Sequence, residues 1–207
     1  MSSQLKKRPY PPKNLPAFLP APEIFNWVQA TLFNKSSKLY NEDHEHLHQL
    51  EMPKLSFLWA NGGFKRQGKY ILGQCEKVMF NSGGWKKERQ EMQMCDWFGD
   101  VPDFLITLDA RFCSECSDVE FCALVEHELY HIAQAKDAFG CPAFNRDTGE
   151  PKLAIQSHDV EEFFGVVRRY GASQSDIKKL VDLASKQPEV GLADIAHACG
   201  TCSLRLA

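Results

Sequence analysis

Hydrophobic side chains recur every three or four positions in several parts of the chain, which predicts amphipathic helices. The clearest stripe lies between residues 118 and 132 and consists of Cys122, Val125, Leu129 and Ile132. Ser117 followed three residues later by Glu120 matches a capping box and sets the start of this helix. Further helices are predicted from Pro22, from about 157 to 170, and from 173 or 175 to about 186; the first has the apolar face Ile24, Trp27, Val28, Leu32 and Phe33.

Alternation of side chains predicts strands elsewhere. "DFLITLDARF" at 103–112 alternates Phe104, Ile106 and Leu108 with more polar positions, which predicts a strand with one polar face. "KLSFLWA" and "KYILGQCEKVMF" are also strand-like, and the glycines of "NGGFKRQG" between them suit a hairpin loop. The segment 81–102 is polar and is assigned to no element. Together these patterns predict an α+β fold, with a short, mostly antiparallel sheet packed on the helix at 118–132 and on a second helix.

Residues 1–23 are expected to form an extended, Pro-rich arm, because their six prolines are excluded from helix and sheet interiors. The remaining residues, 24–207, are expected to form a single domain. The prolines also interrupt any apolar run near the start, so we expect no signal peptide. No run approaches the roughly 18 apolar residues of a membrane span. The expected location is therefore the cytoplasm.

The formal net charge is −3, which gives no general attraction to nucleic acid or to anionic membranes. The basic runs at 6–8, 65–66 and 86–89 are interpreted as solvated surface. His44, His46 and His48 alternate along "NEDHEHLHQLE", which does not suit two ligands on one helical turn. We expect this segment to be a solvated helix end or loop.

Residues 127–131 read H-E-L-Y-H. Side chains four apart on a helix face the same way, so His127 and His131 can offer two imidazoles to one metal ion. Glu128 is rotated by about 100° from His127, close to the ion but free to hold a water. Metallopeptidases use this arrangement to activate water with one catalytic Zn²⁺ and a glutamate general base. The alternative is an exposed polar face of an ordinary helix.

Catalytic zinc usually takes three protein ligands and keeps one position open. The segment "SHDVEEFFGVVRRYG", from residue 157, is the richest source of a third ligand. His158 is the favoured ligand, while Glu161 and Glu162, three and four residues later on the same side of the predicted helix, stay open as alternatives. Asp159 and the glutamates that do not ligate would then hold the N–H groups of the ligand imidazoles.

The chain has eight cysteines, and four of them form two C-x-x-C pairs, Cys113 with Cys116 and Cys199 with Cys202. The two pairs together could bind a second, structural zinc, although they lie far apart in sequence. A redox pair and simple reduced thiols are the alternatives. The other four cysteines are expected to be ordinary thiols.

Four segments in order, "DFLITLDARF", "LVEHELYHI", "HDVEEFFGVVRRYG" and "IAHACGTC", resemble the phage metallopeptidase family of phages and prophages. The resemblance implies a compact zincin-like fold, akin to the SprT-like and minimal gluzincin groups. It also implies a zinc peptidase that acts on a protein or peptide in the cytoplasm of a bacterial host. SprT-like proteins take the third ligand from a downstream histidine, which favours His158, whereas minimal gluzincins take it from a helical glutamate such as Glu161.

Two other classes of protein remain open. One is a non-catalytic zinc-binding interaction or regulatory module, whose sign would be a fourth coordination position closed by Glu161 or a cysteine. The other is a nucleic-acid-associated SprT-like protease, which would need basic residues such as Lys65 and Lys86 clustered near the cleft. The sequence lacks the four closely grouped cysteines of an SprT-type zinc ribbon. By analogy with zincins, the strand at 103–112 is expected to receive substrate by β-augmentation.

Overall fold

The computed structural model describes residues 7–66, 69–158, 175–193, 199 and 201. The α+β architecture predicted from the sequence is confirmed. No helix within these ranges is long and apolar enough to cross a membrane. The elements in chain order are β1 (Phe18–Pro20), α1 (Pro22–Thr31), a 3-10 helix (Glu42–Leu47), β2 (Leu55–Ala60), β3 (Phe64–Arg66), β4 (Lys69–Ile71), β5 (Gly73–Lys77), α2 (Gly84–Phe98), β6 (Phe104–Asp109), α3 (Ala110–Glu115), α4 (Asp118–Tyr130), β7 (Ile132–Gln134), β8 (Leu153–Ile155) and α5 (Ser175–Ala184).

The central sheet has four strands in the order β1-β2-β6-β5. The two outer strands pair antiparallel with their neighbours, while the inner strands β2 and β6 run parallel, with Leu55 opposite Phe104. The predicted hairpin between 54–60 and 69–80 is therefore wrong, because β6 lies between β2 and β5. The glycine-containing loop instead forms its own antiparallel ribbon, β3 with β4.

One face of the sheet carries the hydrophobic core. Phe57 and Trp59 of β2 and Ile106 and Leu108 of β6 belong to one buried cluster that also contains the apolar residues of α1 and α4. The opposite face of β6, with Leu105, Thr107 and Asp109, is also mostly buried, since Leu105 is 4% and Asp109 is 9% exposed. The reason is position in the sheet: an inner strand, paired on both edges, is covered on both faces more often than an outer one.

The proline-rich arm packs against the rest of the chain. Its strand β1 joins the edge of the sheet, where Pro20 is tolerated because an edge strand leaves N–H positions unpaired. Arg8 is only 6% exposed and donates hydrogen bonds to the carbonyls of Cys113, at 2.7 Å, and Cys116, at 2.6 Å. It also pairs with Asp118 at 2.7 Å. The arm is thus anchored at the start of α4.

Helix α2 is the longest element that the sequence patterns missed; α3, which includes residues 110–112 of the predicted strand, was missed too. None of the 15 residues of α2 is buried, and its partly buried apolar residues, Met94, Trp97 and Phe98, are confined to its C-terminal end. It ends at Gly99, whose φ of 84° is the left-handed conformation that commonly closes a helix. Strong helix formers such as Lys, Glu, Gln and Met fill its interior, and this composition with the closing glycine is the signal that could have identified it.

The histidine-rich segment is only partly solvated, which corrects the expectation: its acidic residues are exposed, while His44 is buried and His46 and His48 are half-buried. It forms the 3-10 helix, in which His44 is 0% exposed and lies 4.6 Å, centroid to centroid, from the ring of Tyr130. His46 Nε2 donates to the carbonyl of Ile132 at 2.7 Å. The Tyr130 hydroxyl donates to Asp43 Oδ2 at 2.8 Å. The segment therefore packs against the end of α4.

Strand β8 brings the chain back beside the end of α4. Strand β7 follows α4 directly and pairs antiparallel with β8, with Ile132 opposite Ile155. The helix α5 agrees with the last helix predicted from the sequence. From residue 159 onward, the helix predicted for 157–170 lies outside the described residues.

Candidate metal centre

Helix α4 carries the first two candidate ligands. The predicted capping box is present: Glu120 N–H donates to Ser117 Oγ at 3.2 Å, and Ser117 N–H donates to Glu120 Oε2 at 2.8 Å. The helix runs to Tyr130, and His131 at its end keeps helical dihedral angles, φ −69° and ψ −15°. His127 and His131 therefore share one face of the helix, with ring centroids 5.1 Å apart.

The pairing of β7 with β8 brings the third histidine to the same place. Beyond β8, Gln156 N–H donates to the carbonyl of His131 at 2.9 Å, which holds the returning chain beside the end of α4. His158 follows two residues later, and its Nε2 lies 3.2 Å from Nε2 of His127. Its ring centroid lies 5.0 Å from that of His127 and 5.1 Å from that of His131. The three imidazoles converge on one point.

A backbone hydrogen bond fixes the tautomer of His131. Its Nδ1 lies 2.8 Å from the carbonyl oxygen of Gln156, which can only accept, so Nδ1 carries the proton. The lone pair of Nε2 is then directed toward the point where the imidazoles converge. Histidine ligands of metals are commonly oriented in this way, by a hydrogen bond from the ring nitrogen that does not ligate.

A fourth donor, which was not predicted for this place, completes the cluster. Cys199 Sγ lies 3.0 Å from His131 Nε2. The ligand atoms of His127, His131, His158 and Cys199 all lie within 4.8 Å of one another, and this is the only such group of His, Cys, Asp or Glu among the described residues. Sequence reasoning assigned Cys199 to a separate site with the other C-x-x-C pair.

The spacing and chemistry of these donors fit a tetrahedral metal ion. With zinc–nitrogen distances of about 2.0–2.1 Å and zinc–sulfur distances of about 2.3 Å, a tetrahedron has edges of roughly 3.3 Å between nitrogens and roughly 3.5 Å between nitrogen and sulfur. The separations of 3.2 Å between His127 and His158 and 3.0 Å between His131 and Cys199 are close to these values. Imidazole and thiolate donors favour zinc over magnesium or calcium.

Glu128 lies beside the cluster and is 0% exposed. Its Oε2 accepts a hydrogen bond from the Thr201 hydroxyl at 3.2 Å, while Oε1 has no hydrogen-bond partner within the part of the chain that the structure describes. Burial, together with the nearby thiol of Cys199, raises the pKa of Glu128 well above its usual range. A buried, half-satisfied carboxyl group destabilises the fold. Such groups are concentrated at functional sites.

The absence of a side chain at Gly73 makes room for Glu128. A Cβ atom at Gly73 would lie 2.6 Å from Glu128 Oε1, well inside contact distance. Gly73 is the first residue of β5, which packs against α4 at this point. The sequence showed only a glycine within a strand-like run. A glycine at such a position often marks a close approach, and this is the signal that could have identified it.

The first C-x-x-C pair lies elsewhere, around Arg8. Cys113 is buried in α3, and Cys116 Sγ lies 3.7 Å from Arg8 Nη1. A hydrogen bond with Cys113 and the charge of Arg8 lower the pKa of the Cys116 thiol. Neither sulfur joins Cys199 in a ligand group. Since Cys202 lies outside the described residues, the shared structural zinc stays a prediction without support from the placed cysteines.

The other candidate ligands, Asp159, Glu161 and Glu162, also lie outside the described residues. The structure therefore brings His158 to the cluster and leaves the role of the glutamates as a prediction. A cavity of about 570 Å³ is lined by Leu58, Leu105 and Glu76, which alternate with the core residues of their strands, by Trp97 of α2 and by Gly73. It is on the opposite face of the sheet and is not part of the metal centre.

Fold and site together define a class of α+β protein that has a candidate metal centre built on a helical histidine pair. A family model described as "Putative phage metallopeptidase" matches residues 25–185, and the chain belongs to this family. The resemblance noted in the sequence is confirmed. The matched range contains the three histidines and Glu128, and it ends before Cys199. No curated protein and no solved structure matches the chain.

Proposed function

We propose that the chain is a zinc-dependent metallopeptidase of zincin type, in which His127, His131 and His158 hold the metal and Glu128 is the general base. The observation that carries this proposal is Glu128 itself. It is fully buried next to three converging imidazoles, and one of its oxygens has no partner among the described residues. A buried carboxylate in that state is destabilising unless it acts on something bound there.

Zinc at this centre would supply Lewis acidity, making water nucleophilic near neutral pH and polarising the scissile carbonyl. The chain's own contribution is the proton transfer. Glu128 takes a proton from the attacking water at a carboxylate oxygen, as the water oxygen bonds to the carbonyl carbon. It then gives that proton to the amide nitrogen as the carbon–nitrogen bond breaks.

The substrate strand is proposed to pair with β5. The expectation from the sequence placed the substrate on the strand at 103–112, but that strand, β6, is paired on both edges. Within the described residues, β5 is the outer strand on this side of the sheet, and Gly73 brings its start against Glu128. An extended peptide added to the edge of β5 would therefore pass the metal centre.

One observation favours the second candidate, a non-catalytic zinc module. Cys199 occupies the fourth position of the cluster, and a closed fourth position is typical of structural zinc. A structural site, however, gives no role to the buried carboxylate of Glu128, whose replacement by an apolar residue would then be favourable. The peptidase explains both the histidines and Glu128, and so it is the better supported function.

The described residues give no support to a nucleic-acid-associated protease. Lys65, in β3, lies over the ring of Tyr70 at 4.6 Å, and Lys87, in α2, pairs with Glu91 at 3.4 Å. Strand β3 and helix α2 do not contribute to the metal centre, which is built from α4 and from the chain around β5 and β8. We therefore propose a protein or peptide substrate, met in the cytoplasm of a bacterial host, and no membrane or nucleic-acid partner.

The test is Glu128→Gln, which keeps the shape of the side chain and removes its basicity. Wild type and variant are loaded with zinc and incubated with a denatured host proteome, and new peptide termini are counted by mass spectrometry. The same pair is also made with Cys199→Ala, so that a closed fourth position cannot hide the activity. We expect unchanged zinc content and a loss of cleavage of about 10²- to 10⁴-fold. Equal cleavage with and without the carboxylate would exclude the mechanism.

A further inference from the structure

Two buried residues fill the space beside Glu128, and we call Cys199 and Thr201 the cleft pair. The backbone of Cys199 forms a parallel bridge with Gly73, at the start of β5. The Thr201 hydroxyl accepts a hydrogen bond from Cys75 N–H at 2.7 Å. Its proton faces two acceptors, the carbonyl of Cys75 at 2.9 Å and Glu128 Oε2 at 3.2 Å. The cleft pair thus occupies the edge of β5 that a substrate would need.

The same two residues also occupy the reacting positions. Cys199 Sγ, 3.0 Å from His131 Nε2, stands where a catalytic zinc keeps a position for water. Thr201 engages one oxygen of the general base. The cleft pair therefore occupies the metal position for water, engages the general base and covers the edge of β5 that a substrate would use.

We infer that Cys199 is a displaceable fourth ligand of the metal, and that the cleft pair keeps the peptidase latent until a substrate peptide takes its place on β5. This inference rests on the proposed function. It names the regulation of the site: the chain's own segment acts as a competitor for the peptide-binding edge.

The cleft pair and a substrate peptide would use the same edge of β5. The described contacts of the cleft pair with this edge include the bridge from Cys199 to Gly73 and the hydrogen bonds of the Thr201 hydroxyl with Cys75. A peptide that paired along Gly73–Lys77 would form a ladder of backbone hydrogen bonds, which is the usual source of affinity in β-augmentation. The peptide and the cleft pair therefore exclude each other from β5.

Two further observations argue against a permanent ligand. The unpartnered oxygen of Glu128 is left unsatisfied while the cleft pair is in place, so the closed arrangement does not use the carboxylate fully. The family match, residues 25–185, contains the three histidines and Glu128, which are the residues that the proposed mechanism needs. The three histidines are sufficient for a catalytic zinc site.

The ligand role of Cys199 is tested with cobalt(II) as the metal, since a cobalt–thiolate bond gives a charge-transfer band in the near ultraviolet. Wild type, Cys199→Ala and the matched control Cys141→Ala, which removes an exposed thiol, are each titrated with cobalt. We expect one cobalt per chain in all three proteins, with the band in wild type and the control and no band in Cys199→Ala. A wild type that binds cobalt without the band overturns the inference. So does a Cys199→Ala protein that no longer binds cobalt, because Cys199 would then be an essential structural ligand.

Latency is tested by peptide hydrolysis in the same zinc-loaded proteins. If no more than about a tenth of the chains are open at rest, Cys199→Ala raises hydrolysis at least about tenfold, and Glu128→Gln in that background abolishes it. Wild type already as active as Cys199→Ala, with the cobalt band present, would overturn latency and leave the proposed function standing. Cobalt results as expected with no hydrolysis by any protein would overturn the proposed function, and latency with it.

A measurement on the unaltered chain covers the case in which Cys199→Ala fails to fold. Wild type is treated with iodoacetamide with and without zinc, and alkylation is followed at single peptides by mass spectrometry. We expect zinc to slow the alkylation of Cys199 and to leave that of the exposed Cys141 unchanged. Equal protection or no protection of the two thiols would overturn the inference. Cys199→Ser, which keeps a small polar side chain, provides the second variant for the hydrolysis assay.

Discussion

The chain contains two groups of three histidines, which are arranged differently in space. His127, His131 and His158 converge with their ligand nitrogens close together, as the distance of 3.2 Å between His127 and His158 shows. His44, His46 and His48 alternate in sequence and disperse in space, with His44 between aromatic rings and His46 bonded to a backbone carbonyl. Each group contains one buried histidine, His44 or His131. Only in the first group do the ring nitrogens converge, and the i, i+4 spacing of His127 and His131 on a helix makes this possible.

The two buried histidines, His44 and His131, differ in what their ring nitrogens contact. Neither nitrogen of His44 has a hydrogen-bond partner among the described residues, and the nearest charged atom, Glu126 Oε1, is 3.9 Å away. Burial lowers the pKa of His44 to about 4, so the ring is neutral near pH 7. His44 serves as an aromatic core residue, whereas His131 has one nitrogen bonded to a carbonyl and the other directed at the metal centre.

The largest effect that separates the two groups is expected for zinc binding. Changing both His127 and His131 to alanine removes two of the proposed ligands, and we expect the one zinc per chain to be lost on dialysis. Changing His46 and His48 to alanine is the matched control and should leave zinc content at one. Elemental analysis of the dialysed proteins measures both. Retention of zinc after loss of the helical pair would remove the distinction between the groups.

The next largest effect is the pH dependence that His44 gives to stability. Its pKa lies below the ordinary 6.5 in the folded chain, so the unfolded chain binds the proton first. Stability is therefore lost as the pH falls from about 6.5 to about 4, and the gap corresponds to about 3 kcal/mol at most. We expect metal-free His44→Leu to lose correspondingly less stability than metal-free wild type between pH 7 and pH 4. Urea unfolding at both pH values measures this, and equal losses in the two proteins would contradict the assignment.

An effect of comparable size is expected at the base beside the convergent group. Gly73→Ala places a Cβ atom 2.6 Å from Glu128 Oε1, so the carboxylate must move. Displacement of a catalytic group by about 1 Å lowers the rate by roughly a hundredfold. Zinc content should stay at one per chain. Gly83→Ala, where nothing lies within 4 Å of the added atom, is the control and should keep full hydrolysis.

The smallest effect concerns the bracing role of the dispersed group. His46→Ala removes the hydrogen bond to the carbonyl of Ile132, which directly follows the proposed ligand His131. Loss of one such bond is expected to lower the free energy of unfolding by about 1 kcal/mol without loss of zinc. His46→Gln keeps a donor and should recover part of that. Thermal unfolding with parallel zinc analysis measures both, and loss of zinc in His46→Ala would mean that the dispersed group contributes to the metal centre.

Local patterns were sufficient for one part of the molecule. The helix α4 has its capping box, its apolar stripe and its histidine spacing within fifteen consecutive residues, and each was predicted from the sequence. His158 was favoured because it lies in the first segment beyond that helix that is dense in ligand residues. Family membership was also predicted, from four ordered segments.

The remaining parts depend on contacts between residues distant in sequence. Strand β6 lies between β2 and β5 because of pairing between strands that are distant in sequence. The glycine-rich loop between the two strand-like runs does not indicate this pairing. The fully buried His44 faces Tyr130, far along the chain. Cys199 was grouped with the other C-x-x-C pair because of its spacing to Cys202, whereas its position beside His131 depends on the bridge to Gly73.

X-ray absorption at the zinc edge, on protein loaded with one zinc per chain, tests the proposed metal centre most directly. We expect three nitrogen neighbours of the zinc at about 2.0–2.1 Å, with imidazole scattering, and one sulfur neighbour at about 2.3 Å. Cys199→Ala should keep the three nitrogens and replace the sulfur by oxygen. Two or more sulfur neighbours in wild type would place the zinc at the cysteine pairs instead, and that result would contradict the metal centre described for His127, His131 and His158.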